Sequence, residues 1–193
     1  MGSDICLASQ SPRRRDLLST LGLTVDVRPA HIDETPLVNE AAREHVGRLA
    51  LAKAQAIEHP RPVVAADTIV TVDGLILGKP VDKADYYAMA QRLSGRAHQV
   101  MTGWAVTFGD QIIADVEITE VEFVTLTDPM IEAYWVTGEA SDKAGGYGIQ
   151  GPAGVWVRSL RGDYNNVVGL PTTPVAHALA AVGVNPWGLA HAR

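Results

Sequence analysis

The sequence predicts an α/β protein in which helices surround a mixed β-sheet. Strand and helix patterns alternate from the start of the chain, and two long strands joined by Gly109-Asp110 must run antiparallel among them. No internal repeat, low-complexity tract or clear linker interrupts the pattern. The 193 residues therefore suit a single domain, with room for two small lobes and a sizeable core.

Ile5 to Ala8 read as a short buried strand. Ser11 is the N-cap of the first helix, with Pro12 at N1, where its missing N–H costs nothing. Leu17, Leu18 and Leu21 form its apolar stripe and Gly22 ends it. Thr24 to Arg28 alternates like a strand and leads into the polar loop from His31 to Pro36. Asn39 to Ile57 reads as a helix, with Val46, Leu49, Ala50, Lys53, Ala56 and Ile57 on one face. Val63 to Val72 is a strong strand that Asp73-Gly74 turns into Leu75–Leu77. A helix runs from an Asp82 cap to Leu93 and closes at Ser94-Gly95. The long strands are His98 to Phe108 and Gln111 to Val124. In the second, the apolar phase slips between Ile118 and Val121, which predicts a bulge. Asp128-Pro129 opens a helix through Trp135. A glycine-rich stretch, Ala144 to Gly154, precedes the strand Val155 to Leu160, and the last helix runs from Thr173-Pro174 to near Val182-Gly183.

The net charge of −6 argues against a general nucleic-acid binder, so any polyanion should be small and held locally. The single cysteine, Cys6, lies within the first apolar strand, which fits a reducing compartment and a core role. Polar residues interrupt the start of the chain by Asp4, so no signal peptide is expected. No apolar run approaches the ~20 residues that span a bilayer, and the expected location is the cytoplasm. His31, His45, His59, His98, His177 and His191 show no metal-ligand spacing and read as surface or core residues. The four tryptophans read as packing.

Several charged residues stand where folding alone would not put them. Arg13, Arg14 and Arg15 crowd the positive end of a helix dipole, an arrangement that costs a few tenths to ~1 kcal/mol per charge. Together with the Ser9 and Ser11 hydroxyls and free backbone N–H groups, they describe a polyanion site, most simply for phosphates; the alternative is a solvated charge cluster. Asp67 interrupts Val63-Val64-Ala65-Ala66-Asp67-Thr68-Ile69-Val70, where a carboxylate costs several kcal/mol unless it is paired, binds a metal or faces a cleft. It reads as a metal ligand or general base, against a structural aspartate bonded to a turn. Lys53 is a cation on the apolar face of its helix, poised for a site or snorkelling to solvent.

Lys79 lies in Gly78-Lys79-Pro80. The run from Gly74 fails as a P-loop, because the glycines are one residue too close, Pro80 replaces Ser/Thr and a hairpin precedes it. A phosphate contact by Lys79 stays open. Gln150, among the glycines of Asp142–Gly151, has the donor and acceptor to pair with a base edge, or the stretch is simply a tight loop. The same two readings hold for Asn165–Pro171, where Asn166 leads into an apolar stretch.

Taken in order, these segments resemble the Maf family of nucleoside triphosphate pyrophosphatases. Leu7-Ala8-Ser9-Gln10-Ser11-Pro12-Arg13-Arg14 is similar to its opening motif. Asp33-Glu34-Thr35, the Lys53 helix, Ala66-Asp67-Thr68-Ile69-Val70, Gly78-Lys79-Pro80, Thr119-Glu120-Val121-Glu122-Phe123, Asp142 to Gly151 and Asn166 to Pro171 follow in register. Ala140 and Thr172 depart from the family pattern, where proline and leucine are common.

The resemblance implies an elongated, two-lobed, Maf/ITPase-like body with a curved mixed sheet flanked by helices and an active-site cleft between lobes, often in a homodimer. It implies hydrolysis of a nucleoside triphosphate to monophosphate and pyrophosphate with a divalent cation, Mg²⁺ or Mn²⁺, and no membrane or stable nucleic-acid partner. On that basis Ser9, Ser11, Arg13 and Arg14 would hold phosphates, and Lys53 and Lys79 would neutralise charge as the phosphoanhydride breaks. Asp67 would accept the proton of the attacking water, and Glu34 with Asp67 would hold the metal. Arg13, Thr68 and Gln150 are the residues of the branch acting on dTTP and UTP. The sister branch acting on 7-methyl-GTP resembles Trp, Gln and Glu there, an aromatic face and a carboxylate that suit a cationic base. A nucleotide-binding regulator of division is the reading of a different class, disfavoured by the intact set Glu34, Lys53, Asp67 and Lys79.

Overall fold

The computed structural model describes residues 2–186 and shows a mixed α/β protein. Its strands are β1 (Ile5–Leu7), β2 (Val25–Val27), β3 (Val63–Val72), β4 (Leu75–Leu77), β5 (Ala97–Phe108), β6 (Gln111–Phe123) and β7 (Val157–Arg161). Its helices are α1 (Pro12–Thr20), α2 (Ala42–Gln55), α3 (Lys83–Leu93), α4 (Asp128–Val136), α5 (Tyr164–Val168) and α6 (Thr172–Ala181). The seven strands form one open sheet in the order β2-β1-β3-β5-β6-β7, with β4 paired to β3. β1 is parallel to β2 and β3, while β3–β4 and β6–β7 are antiparallel. No described helix is long and apolar enough to cross a membrane.

The chain divides into two compact units. The first contains the chain up to Asp67, Thr102–Glu117 and the part from Gly169. Here strand alternation sorts the side chains by size. Ile5, Leu7, Val64, Ala66, Trp104 and Val106 pack with Leu18 of α1 and with Val175 and Leu179 of α6. Cys6, Ala8, Val63, Ala65 and Ala105 form a second cluster with Ala54 of α2. The small residues of that second cluster let α2 come close. At Gly103 a Cβ would stand 2.1 Å from the Val46 carbonyl oxygen, so only glycine fits beneath the helix. Cys6 is a free, fully buried thiol, as its place in an apolar strand predicts.

The second unit contains Thr68–Met101 and Ile118–Val168. Its core is aromatic, with Tyr86, Phe123, Tyr134, Tyr147 and Trp156 around Val70, Val100, Leu93 and Ile131. The β3–β4 hairpin turns through Asp73 at φ 51° and Gly74 at φ 75°, the left-handed pair that a two-residue hairpin demands.

Some boundaries differ from the sequence reading for identifiable reasons. α2 begins at Ala42 rather than Asn39, because Asn39 takes φ 60° and leaves the helical region. Glu44 then caps the start by accepting from the Ala41 N–H at 3.4 Å. The buried phase of β6 runs Thr119, Val121, Phe123, so the apparent slip arises because a buried position is a threonine. The register shift against β7 falls at Glu122/Phe123 instead. β7 starts at Val157 because Pro152–Trp156 form a 3₁₀ turn. The short helix α5 is not among the expected elements; its sequence cue is Asp163, whose Oδ1 supports its start by accepting from Asn165 N at 2.7 Å and Asn166 N at 3.4 Å. His191 and Trp187 lie outside the described residues.

Candidate active site

The turn from β1 into α1 carries the first candidate group. Ser9 is buried, and its Oγ accepts from the Ser11 N–H at 3.2 Å and from Arg14 Nη1 at 3.0 Å. Arg14 also donates from Nε to the Gly169 carbonyl at 2.8 Å. Burial lowers the Arg14 pKa from the usual guanidinium value, while the carboxylate of Asp67 pulls the other way. Ser11 does occupy the N-cap, with Pro12 at the first helical position, but its hydroxyl makes no capping bond. Arg13 is half-buried beside it, and Arg15 points outward to Asp16 at 2.9 Å.

Lys53 and Asp67 are the two polar intruders of the sequence, and they meet. Lys53 Nζ donates to Asp67 Oδ1 at 2.7 Å and forms an ion pair with Glu34 Oε1 at 2.8 Å. The Lys53 and Asp67 side chains are 10% and 14% exposed, whereas Glu34 is 56% exposed on its loop. Burying an ammonium is tolerable here because two carboxylates face it. One negative charge is left over.

That donor set fits the implied cation. Two carboxylates converge on one positive centre, and hard oxygen ligands of this kind suit Mg²⁺ or Mn²⁺, which complete their shells with water and phosphate oxygens. Among the described residues no group of three or more His, Cys, Asp or Glu side chains is placed to hold a metal alone. Glu34 and Asp67 are the carboxylates that would hold such a cation.

In the second unit, Lys79 is exposed on the loop after β4, and Gly145 donates its N–H to the Gly78 carbonyl beside it at 2.9 Å. The glycines of this stretch are required by packing. Gly145 (φ 67°) would put a Cβ 3.0 Å from the Val70 side chain, and Gly146 (φ 69°) would put one 2.9 Å from the Tyr86 ring. Tyr134 Oη accepts from Gly148 N at 2.9 Å, so the segment bearing Gln150 is tied down at several points. Gln150 itself is exposed, and Thr68 is half-buried directly after Asp67.

His98 is a core histidine: it is buried, with Nε2 2.7 Å from the Tyr147 hydroxyl. Asn166 is likewise structural, donating from Nδ2 to the Val100 carbonyl at 3.0 Å and to Thr119 Oγ1 at 2.9 Å. Glu40, His45 and Arg48 form a polar cluster with no signal in the sequence: Arg48 falls on the polar side of α2, and Glu40, expected in the first turn of that helix, lies in the loop before it.

Comparison with known proteins shows the family. Residues 4–182 match the family model described as Maf-like protein. The chain is 44% identical over 188 residues to a protein of Bacillus pumilus named dTTP/UTP pyrophosphatase, covering 96% of this chain and 100% of that one. It is 47% identical over 193 residues to a protein of the same name from Anaeromyxobacter dehalogenans, covering 97% and 98%. A third so named, from Pyrococcus furiosus, is 46% identical over 170 residues, covering 86% and 89%. Among solved structures, the Staphylococcus aureus Ham1 protein is similar over 62% of this chain and 71% of that one, at a TM-score of 0.42 and 17% identity, too slight a likeness to bear on function.

Proposed function

The chain belongs to the Maf family, and from that premise we propose that it hydrolyses dTTP and UTP to the monophosphate and pyrophosphate. The observation that carries this reading is 44% and 47% identity, over nearly the full length, to relatives named dTTP/UTP pyrophosphatase. The Lys53 contacts with Asp67 and Glu34 agree with it, as a charged centre that folding alone would avoid.

In this mechanism Arg14 and the Ser9 turn bind phosphate oxygens, and Arg13 and Lys79 add positive charge to the triphosphate. Water adds to the α-phosphorus, the bond to the α–β bridging oxygen breaks, and pyrophosphate leaves with that oxygen. Asp67 accepts the proton lost by the water. Lys53 keeps that carboxylate oriented through its contact with Oδ1. A divalent cation would be held by Glu34, with Asp67 either its second ligand or the base but not both, since a metal-bound carboxylate is a poor base; the cation would neutralise phosphate charge as the transition state forms. Gln150 pairs its amide with the pyrimidine edge, and modified pyrimidine triphosphates are plausible further substrates.

The test is a panel of nucleoside triphosphates, 7-methyl-GTP included, incubated with purified protein and Mg²⁺ or Mn²⁺, with products read by phosphorus NMR. Pyrophosphate and monophosphate should appear together, fastest from dTTP and UTP. Diphosphate plus orthophosphate as first products, or no turnover, would overturn the reading.

A further inference from the structure

Glu34 sits on a segment without regular structure between β2 and α2, yet its carboxylate meets Lys53 at 2.8 Å. What holds this segment is the Glu40 cluster. The Glu40 side chain is only 5% exposed, and both its oxygens are engaged. Arg48 donates to it as a fork, from Nε to Oε1 at 2.5 Å and from Nη2 to Oε2 at 2.8 Å. The Leu37 N–H donates to Oε2 at 3.0 Å, and His45 Nδ1 lies 2.9 Å from the same oxygen. The Arg48 guanidinium also reaches the carbonyl of Thr35, the residue after Glu34, at 3.2 Å. Donated hydrogen bonds, Arg48 first, keep the Glu40 carboxyl well below the usual carboxylate range, so it stays charged.

Burying one member of an ion pair, as Glu40 is buried here, is a poor way to stabilise a fold, because apolar replacements at buried pairs are often neutral or better. It is a good way to fix one geometry. Arg48 and Lys53 both project from α2, so one helix holds the loop at Thr35 and receives its carboxylate from Glu34. We propose that Glu40 and Arg48 are positioning residues for the hydrolytic reaction, their ion pair fixing the 33–40 segment on α2 so that Glu34 stays on Lys53. The kinetic part of this inference rests on the pyrophosphatase reading; the structural part does not.

The test uses the full-length protein with Arg48→Lys, which keeps the charge and loses the fork, and Glu40→Gln, which keeps the shape and loses the charge. Both are made in the wild-type and Glu34→Gln backgrounds. In the wild-type background each should lower kcat for dTTP by about tenfold with KM changed less than about twofold. In the Glu34→Gln background the same changes should cost less than about twofold, because the group they position is already gone. Amide hydrogen exchange across residues 33–41 should speed up by about tenfold or more, while Leu49 and Ala50 in α2 exchange as before. Unchanged exchange, unchanged kcat, or equal kcat losses in both backgrounds would overturn the inference. If Arg48→Lys does not fold, Glu40→Gln decides it alone. A wild-type protein that cleaves no triphosphate would remove the proposed function, and hydrogen exchange would still report on the lock.

Discussion

Asp67 Oδ1 receives the Lys53 ammonium at 2.7 Å, and both side chains are largely buried. Each residue alone breaks the apolar pattern of its element, and together they neutralise one another. The second oxygen of Asp67 is not engaged by Lys53, so the carboxylate is oriented by one atom and available through the other. This arrangement suits the proton-acceptor role proposed for Asp67.

Replacing Asp67 with Asn tests that role. The amide keeps the shape and can still accept from Lys53, so the fold should survive with a small change in thermal midpoint. Turnover should fall by ~10²–10⁴-fold, the usual range for loss of a general base. Steady-state kinetics with dTTP beside a thermal melt separates the two effects. Near-normal turnover with intact metal dependence would remove Asp67 from the mechanism.

Gly103→Ala should damage the first unit from a distance. The added methyl would stand 2.1 Å from the Val46 carbonyl oxygen, a backbone atom that cannot swing away, so α2 must shift off β5. Overpacking of this kind costs about 1–3 kcal/mol. Because α2 carries Lys53 and Arg48, activity should fall with stability. Urea unfolding and kcat/KM on the same preparation check both, and an unchanged unfolding midpoint would mean that the helix has room to move.

How much of this was legible in the sequence depended on whether the signal was local. The β3–β4 hairpin was readable because a continuous apolar run meets an Asp-Gly turn, and the Asp82 cap was readable from residue type; its carboxylate accepts from Asp85 N at 2.8 Å. Lys53 and Asp67 each stood out as charges on apolar faces, but their pairing depends on where α2 docks, which Gly103 and the small residues of β1 and β3 decide. The glycines at 145 and 146 announced close approach without naming Val70 and Tyr86 as the partners. Glu40 and Arg48 were invisible because a glutamate in the first turn of an expected helix and an arginine on its polar face look like ordinary surface until the chain folds them together.

His98 gives the protein an acid-sensitive component of stability. It is 3% exposed, and burial pushes its imidazole down to about 4 from the usual 6.5. The titratable group facing it is the Tyr147 hydroxyl, itself pushed up by burial, with the Phe123 ring at its edge. The folded state keeps His98 neutral while the unfolded chain takes up a proton, so stability present at neutral pH is lost as pH falls from 6.5 toward 4. By linkage the loss at pH 5 is about 2 kcal/mol. His98→Gln, which can still bond Tyr147, should remove that component from the pH 7 to pH 5 difference in urea unfolding. Equal differences in the two proteins would show that His98 is not the group responsible.

Base preference is the sharpest wager on the proposed site. Gln150 is exposed in a segment tied by Gly145 to Gly78 and by Gly148 to Tyr134, so its backbone is placed while its amide stays available. An amide offers both a donor and an acceptor to a uracil or thymine edge. Gln150→Glu loses the donor and sets a negative charge against carbonyl oxygens. A site left with unsatisfied partners loses ~1–3 kcal/mol, or roughly 5- to 150-fold in kcat/KM, and the loss should fall on dTTP and UTP. Adding Arg13→Trp supplies an aromatic face, so the double variant should raise the relative rate with 7-methyl-GTP, whose base is cationic. Arg14→Ala should weaken all triphosphates alike, since a phosphate contact carries no information about the base. The measurement is kcat/KM for dTTP, UTP, CTP and 7-methyl-GTP in each variant. An unchanged substrate ranking in the Gln150 and Arg13 variants would place base recognition on other residues.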